Sequence, residues 1–350
     1  MRCNALIISG LILLLSSCSH KSMEREAPVT EIPFSTFVRS DGALMTNGIK
    51  VNSIVLSDGG HQDCIQSSVS KVLCSEGRIL VFDQLQNSIV AYDQEGGAIA
   101  RIGLRGRGPQ EYVQLTDFSI TEDQGVVLLD GNKDELLFYD KDYRFSRKRK
   151  NQRDISRLAS VGEGRFLVNV STWDHSKDSG YKVLLCDENQ RVAGRFIKKE
   201  IQIDPNFEFP YVGFSPSDGG KRFFLKPIDD NVYVFAGSKL ETIYHFDFGA
   251  KRVKDSFRSE VEKNMQDIMD SSFLINTVWI SGNYGLGMLL DKGNFVSFLA
   301  DLKHKTWTDI TAWGYFMGVA DGSAIFYQMD APGSDGAPVL NLVNTKDFPA

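Results

Sequence analysis

Residues 103 to 112 read Gly-Leu-Arg-Gly-Arg-Gly-Pro-Gln-Glu-Tyr, which sets two guanidiniums, Arg105 and Arg107, between glycines and puts a carboxylate, Glu111, four residues further on. Arginine presents a planar fork of donors that matches carboxylate or phosphate oxygens. Projecting from one surface, Arg105 and Arg107 would hold an anionic group, with Glu111 orienting one guanidinium by a paired hydrogen bond. The same residues also suit a plain connection. Gly106 and Gly108 allow unusual backbone angles, Pro109 fixes φ, and Tyr112 packs beneath the turn.

Other chemistry is thin. The five histidines stand apart at 20, 61, 175, 245 and 304, without the spacing of a metal site, so neither metal nor cofactor is expected. There is no Gly-x-Ser-x-Gly elbow and no phosphate loop. Ser57-Asp-Gly-Gly-His61 lacks the aromatic residue that would complete a sialidase-type Asp box. Carboxylates are plentiful, and a pair of them serving glycoside cleavage is the alternative to a binding role. Acidic residues outnumber basic ones by 45 to 39, a net charge of −6, which argues against nucleic acid as a partner. The basic run Arg144, Arg147, Lys148, Arg149, Lys150 and Arg153 is expected on an outer strand and its exit loop, where charge blocks edge pairing. In its sharper reading that run meets an anionic lipid or polysaccharide.

At the N-terminus, Arg2 is followed by an apolar run from Ala5 to Leu15 and then Leu15-Ser16-Ser17-Cys18. A charged start, a short apolar run and small residues before the cysteine predict a signal peptide over 1–17. The run is far shorter than the roughly 20 residues of a membrane-spanning helix. Leu-Ser-Ser-Cys resembles the bacterial lipobox, which implies acylation of Cys18 and a lipid anchor in the cell envelope. Residues 18–45 are expected as a flexible tether and 46–350 as one folded unit.

With Cys3 removed and Cys18 acylated, Cys64, Cys74 and Cys186 remain in a compartment where disulfides persist. Cys186 takes the place that Tyr92 and Tyr139 hold in two similar segments and is expected to be buried. That leaves Cys64 and Cys74, expected to bridge and close a loop of about ten residues, worth somewhat under ~3 kcal/mol if unstrained.

The chain repeats itself. Arg78-Ile-Leu-Val-Phe-Asp83 and Ser88-Ile-Val-Ala-Tyr-Asp93 read as alternating strands of a hairpin, and the text returns as Gly125–Asp130 and Glu135–Asp140. A third copy runs from Gly164 to Asp187, with a polar insertion from Thr172 to Gly180 that carries Trp173. Asp93, Asp140, Asp187, Asp247, Asp301 and Asn344 mark six copies, each residue capping a turn by accepting from the amide two residues on. Four short strands per copy is the arithmetic of a propeller blade. The last copy is one strand short, and Val51 to Ser57 can complete it and join the chain's two ends. Phe257, Val261, Met265 and Ile268, three and four apart, predict a short amphipathic helix between blades four and five.

This pattern, with Ile102 to Tyr112, resembles the six-bladed β-propeller lipoproteins of Bacteroidetes, whose first blade is followed by Gly-x-Gly-Pro-Gly-Glu-Tyr and which are distantly similar to NHL-repeat propellers. Gly106, Gly108, Pro109, Glu111 and Tyr112 match, while Gln110 replaces the second glycine. The resemblance implies an all-β six-bladed propeller of four-stranded blades and a lipid-anchored place at the outer membrane. It transfers no general activity. The function expected from the residues is a non-enzymatic envelope module for a glycan, peptide or protein partner. The rivals are a polysaccharide hydrolase or lyase, and a sensor or scaffold for another envelope protein.

Overall fold

The protein is described from a computed structural model, which covers residues 27–40, 43–61, 64, 67–199, 213–216, 218–226, 228–329 and 331–348. The signal peptide and Cys18 lie outside the described residues. Three strands precede the first copy of the repeat: β1 (Val29–Ile32), β2 (Val38–Arg39) and β3 (Val51–Val55). Blade one is β4 (Lys71–Ser75), β5 (Arg78–Asp83), β6 (Ser88–Tyr92) and β7 (Ala98–Arg101). Blade two is β8 (Leu115–Ile120), β9 (Val126–Asp130), β10 (Glu135–Tyr139) and β11 (Phe145–Lys150). Blade three is β12 (Ile155–Ser160), β13 (Arg165–Val170), β14 (Tyr181–Asp187) and β15 (Val192–Lys198).

Blade four contains β16 (Lys221–Leu225), β17 (Asn231–Ala236) and β18 (Lys239–Phe246). Blade five contains β19 (Ser272–Ser281), β20 (Tyr284–Asp291), β21 (Asn294–Asp301) and β22 (Thr306–Asp309). Blade six contains β23 (Tyr315–Ala320), β24 (Ser323–Gln328) and β25 (Val339–Asn344). The N-terminal strands finish the ring. β3 pairs antiparallel with β25, Val51 opposite Val343 and Val55 opposite Val339, so the expected closure of the last blade is realised. β1 adds to β18 in parallel and β2 to β22 in parallel, which gives blade five a short fifth strand.

The six blades stack face to face, so each middle strand is covered on both sides. Ile89, Val90, Ala91 and Tyr92 are all buried, as are Val126, Val127, Leu128 and Leu129. These runs are therefore continuously apolar rather than alternating, as a sheet buried on both faces requires. The core is a chain of clusters between neighbours. One joins Leu80 and Phe82 of blade one to Phe118 and Leu128 of blade two, and another joins Tyr327 and Ile325 of blade six back to Val81 of blade one. Cys186 is fully buried between blades two and three, at the register position Tyr92 occupies against Ile79.

All six marker residues cap their turns as expected. Asp93, Asp140, Asp187, Asp247, Asp301 and Asn344 each accept from the amide two residues on, at 2.8 to 3.0 Å. The helix between blades four and five is two single turns, α1 (Asp255–Arg258) and α2 (Met265–Met269). Its apolar spacing holds nonetheless, because Val261 and Ile268 pack with Phe273 and Leu290 of blade five.

Two expectations are corrected. The tether does not extend to 45: Ala27, Ile32, Phe34, Phe37 and Met45 are buried. Phe34 lies within 5.9 Å of Phe246, Phe248, Phe298 and Trp307, measured between ring centroids. A segment that reads as polar is tied down by a few aromatic side chains and by strand pairing. Nor are Cys64 and Cys74 bridged; both are thiols. β4 sets Cys74 opposite Ile79, whereas the carbonyl of Cys64 accepts from the Tyr92 hydroxyl of β6 at 3.4 Å. Closeness in sequence did not bring the two Cβ atoms into the narrow geometry of a disulfide.

Candidate functional site

The starts of β4, β8 and β23, the β5–β6 turn and the ends of β20 and β24 surround a cleft of about 940 Å³ at one end of the ring axis. Its walls are built by blades one, two, five and six. Carboxylates position the blade-one and blade-two sides. Asp83 accepts from the Ser67 and Ser68 amides at 2.8 and 2.9 Å, and Asp130 from the Val113 amide at 2.7 Å. Each carboxylate fastens the segment entering an inner strand to the hairpin turn beside it. Burial alone would raise the Asp83 carboxyl, but the donated hydrogen bonds prevail and hold it below its usual value. These two residues were visible as repeated strand ends, Phe82-Asp83 and Leu129-Asp130, but their role in shaping the mouth was not.

Asn87 completes this side. Its side-chain oxygen accepts from the Leu115 amide at 2.7 Å and its side-chain nitrogen donates to the Val113 carbonyl at 2.9 Å. Tyr112, fully buried, donates its hydroxyl to the Asn87 carbonyl at 3.0 Å.

The mouth is apolar and polar-neutral. Leu85, Phe295, Tyr315 and Met329 stand exposed around it, with Met288, Met317 and Tyr327 behind them. Gln84, Gln114 and Asn276 supply neutral polar groups, and Arg105 is the one charged residue among the described lining residues.

Below the mouth the axis narrows to a void of about 60 Å³ lined by Lys71, Asp117, Arg157 and the segment Gly213 to Pro216. Lys71 Nζ lies 2.7 Å from Asp117 Oδ1 and 2.8 Å from the Phe118 carbonyl, while Asp117 Oδ2 accepts from the Leu158 amide at 2.8 Å. Arg222 reaches the Ser160 carbonyl with Nε and Nη2, at 3.0 and 2.7 Å. Burial pulls Lys71 down against the opposing pull of Asp117, and it lowers Arg222 to about 10. Asp117 thus has one donor on each oxygen, a lysine and an amide, and it faces no second carboxylate among the described lining residues. At the far end of the axis, beyond β23, Asp218 accepts from Trp279 Nε1 at 2.7 Å, and burial together with Asp218 raises Asp321.

The residues singled out from sequence separate. Arg105 lines the mouth; Arg107 is exposed and does not. Glu111 orients neither guanidinium, because its carboxylate turns back to accept from the Gly108 amide at 2.7 Å. That contact explains Gly106: a Cβ there would lie 2.0 Å from Glu111 Oε2. Space for a carboxylate, not an unusual φ, requires glycine, since neither Gly106 nor Gly108 has positive φ. Gln110 likewise keeps an ordinary backbone angle. Gly103 does need its freedom, with φ +72 and the Tyr139 hydroxyl 2.7 Å from where a Cβ would be.

The basic strand is laced with partners rather than bare. Arg144, Arg147, Lys148 and Lys150 each have a carboxylate within 4.0 Å. Arg153 leaves that surface altogether and pairs inside with Asp178 at 2.7 Å, which Arg195 also grips at 2.6 Å. Trp173, in the same insertion as Asp178, is 53% exposed.

Among known structures, a protein of Bacteroides fragilis named "putative exported protein" shares the fold with a TM-score of 0.71 at 16% identity, covering 89% of this chain and 99% of that one. A member of the DUF4221 family from Bacteroides vulgatus follows at a TM-score of 0.54 and 11% identity, over 84% of this chain and 96% of that one. Likeness at such identities speaks to fold alone. No curated protein matches the sequence. The profile of DUF4934, a domain of unknown function, matches residues 61–329. With most of its length under that profile and its blades closed into the ring described above, the chain belongs to the DUF4934 family.

Proposed function

We propose that this six-bladed propeller is a non-enzymatic binding module of the cell envelope, held by a lipid on Cys18, whose site is the 940 Å³ mouth. The observation that carries this reading is the lining: exposed apolar and aromatic side chains gather there, and no carboxylate is among the described lining residues. Concave, mostly apolar clefts with a few placed polar groups are the common form of a ligand site. The Bacteroides fragilis protein that shares this fold carries the name "putative exported protein", a name that agrees with the proposed location. No helix among the described residues is long and apolar enough to cross a membrane. A glycan, a peptide or another envelope protein is the partner class. Glycan and peptide arrays probed with the protein and with Phe295→Ala/Tyr315→Ala test the site. Loss of captured ligands is expected, and undiminished capture by the double variant would refute it.

A second reading, polysaccharide cleavage, is favoured by one observation, the neighbouring Asp218 and Asp321 with Asp321 raised by burial and by Asp218. A carboxyl held protonated by its surroundings can serve as a general acid. Turnover of any polysaccharide that Asp321→Asn abolishes would establish it.

A further inference from the structure

Four of the exposed large apolar side chains, Leu85, Phe295, Tyr315 and Met329, crowd one mouth. Singly scattered exposed apolar residues need no explanation, but a gathered set around a concavity marks a contact surface. The methionines behind them, Met288 and Met317, are unbranched and polarisable, so they can fit an apolar body of variable shape. Nine of the eighteen described lining residues carry apolar side chains, and the others are four amides, four hydroxyls and Arg105.

Arg105 breaks the neutrality. It is exposed at the rim, and its guanidinium forms no ion pair among the described residues. Glu111, the carboxylate nearest in sequence, is engaged with the Gly108 amide. Among the described residues, then, no anion neutralises this permanently charged fork at the cleft. A cleft of about 940 Å³ lies at the upper end of the range for small-molecule sites.

Resting on the reading of this mouth as the binding site, we propose that its ligand is a single-chain amphiphile with one anionic group: the apolar chain lies among Phe295, Tyr315 and Met329, and the anion meets Arg105. A hydrogen bond between charged groups in a partly desolvated site is strong enough to select by sign of charge. Leu85 then covers the chain next to the headgroup. Arg107, which does not line the cleft, takes no part.

Calorimetric titration below micelle formation, with decanoate and decyltrimethylammonium as probes of matched chain, tests this. Decanoate is expected to bind at one site and the cation much more weakly. Arg105→Ala should weaken decanoate by about ten- to a hundredfold, Arg105→Glu should reverse the preference, and Arg107→Ala should change nothing. Because Arg105 is exposed, these variants keep the fold, and thermal melting verifies it. Equal binding of the two probes, or undiminished binding by Arg105→Ala, overturns the proposal. If decanoate fails to bind while arrays still find a glycan or peptide that needs Phe295 and Tyr315, the amphiphile is wrong and the binding mouth stands. If no ligand depends on Phe295 and Tyr315, both fall.

Discussion

At the residue scale, the glycine-rich loop divides between architecture and recognition. Tyr112 is architecture: fully buried, hydrogen-bonded to Asn87, and packed with Gly103 and Tyr139. Removing a large buried aromatic side chain costs about 3–5 kcal/mol. Tyr112→Ala should therefore lower the melting temperature by several degrees, whereas Arg105→Ala and Arg107→Ala leave it unchanged, as differential scanning calorimetry would record. An equal loss from the arginine variants would mean their side chains brace the loop. Glu111 belongs with Tyr112 here, since its contact with the Gly108 amide holds the turn.

At the scale of elements, the N-terminal segment is a strap rather than a tether. Phe34 enters an aromatic cluster shared by blades four and five, and Arg39 pairs with Asp309 at 2.7 Å while lying over Trp307. Phe34→Ala should cost about 3–5 kcal/mol in denaturant unfolding and expose residues 27–46 to limited proteolysis. Stability lost without proteolytic opening would show that the strap is held by strand pairing instead. The helical insertion is tied to blade four by Arg258, 3.3 Å from Asp230. Burial raises Asp230 to about 6, against the pull of Arg258 and with some help from Asp229. Its folded value thus exceeds its unfolded one, and the native state holds the extra proton between roughly pH 4 and pH 6. This group's contribution must then fall as pH rises through that window. In denaturant unfolding across pH 4 to 7, Asp230→Asn should take away a component of stability that falls as pH rises; a pH dependence identical to the parent protein's would refute this role of Asp230.

At the scale of the whole molecule, the N-terminal segment closes the ring through β3 in blade six and adds an outer strand to two more blades, β1 to blade four and β2 to blade five. The proposed place of this body at a membrane rests on the proposed lipid at Cys18. Several acyl chains, at about 0.8 kcal/mol per buried methylene, hold a protein almost permanently. Cys18→Ala is accordingly expected to move the protein from the membrane pellet to a soluble or unprocessed form. A mature, detergent-dependent product from that variant would refute the anchor.

The propeller was legible because its signals are local and repeated. A strand pair with its capping Asp or Asn recurs six times, and each cap acts over two residues, so reading the text once per blade was enough. The closing strand was legible too, since only a missing partner could explain the short last blade. What local text could not decide was which distant groups meet. Phe34 looks like the end of a tether until Phe298 and Trp307 are beside it, and Cys64 and Cys74 look like a bridge until strand register sends them to different partners. Arg105 and Arg107 are alike in sequence. Only the curvature of the ring, which brings Phe295 and Met329 of later blades to face the first, puts one of them in the mouth and leaves the other outside.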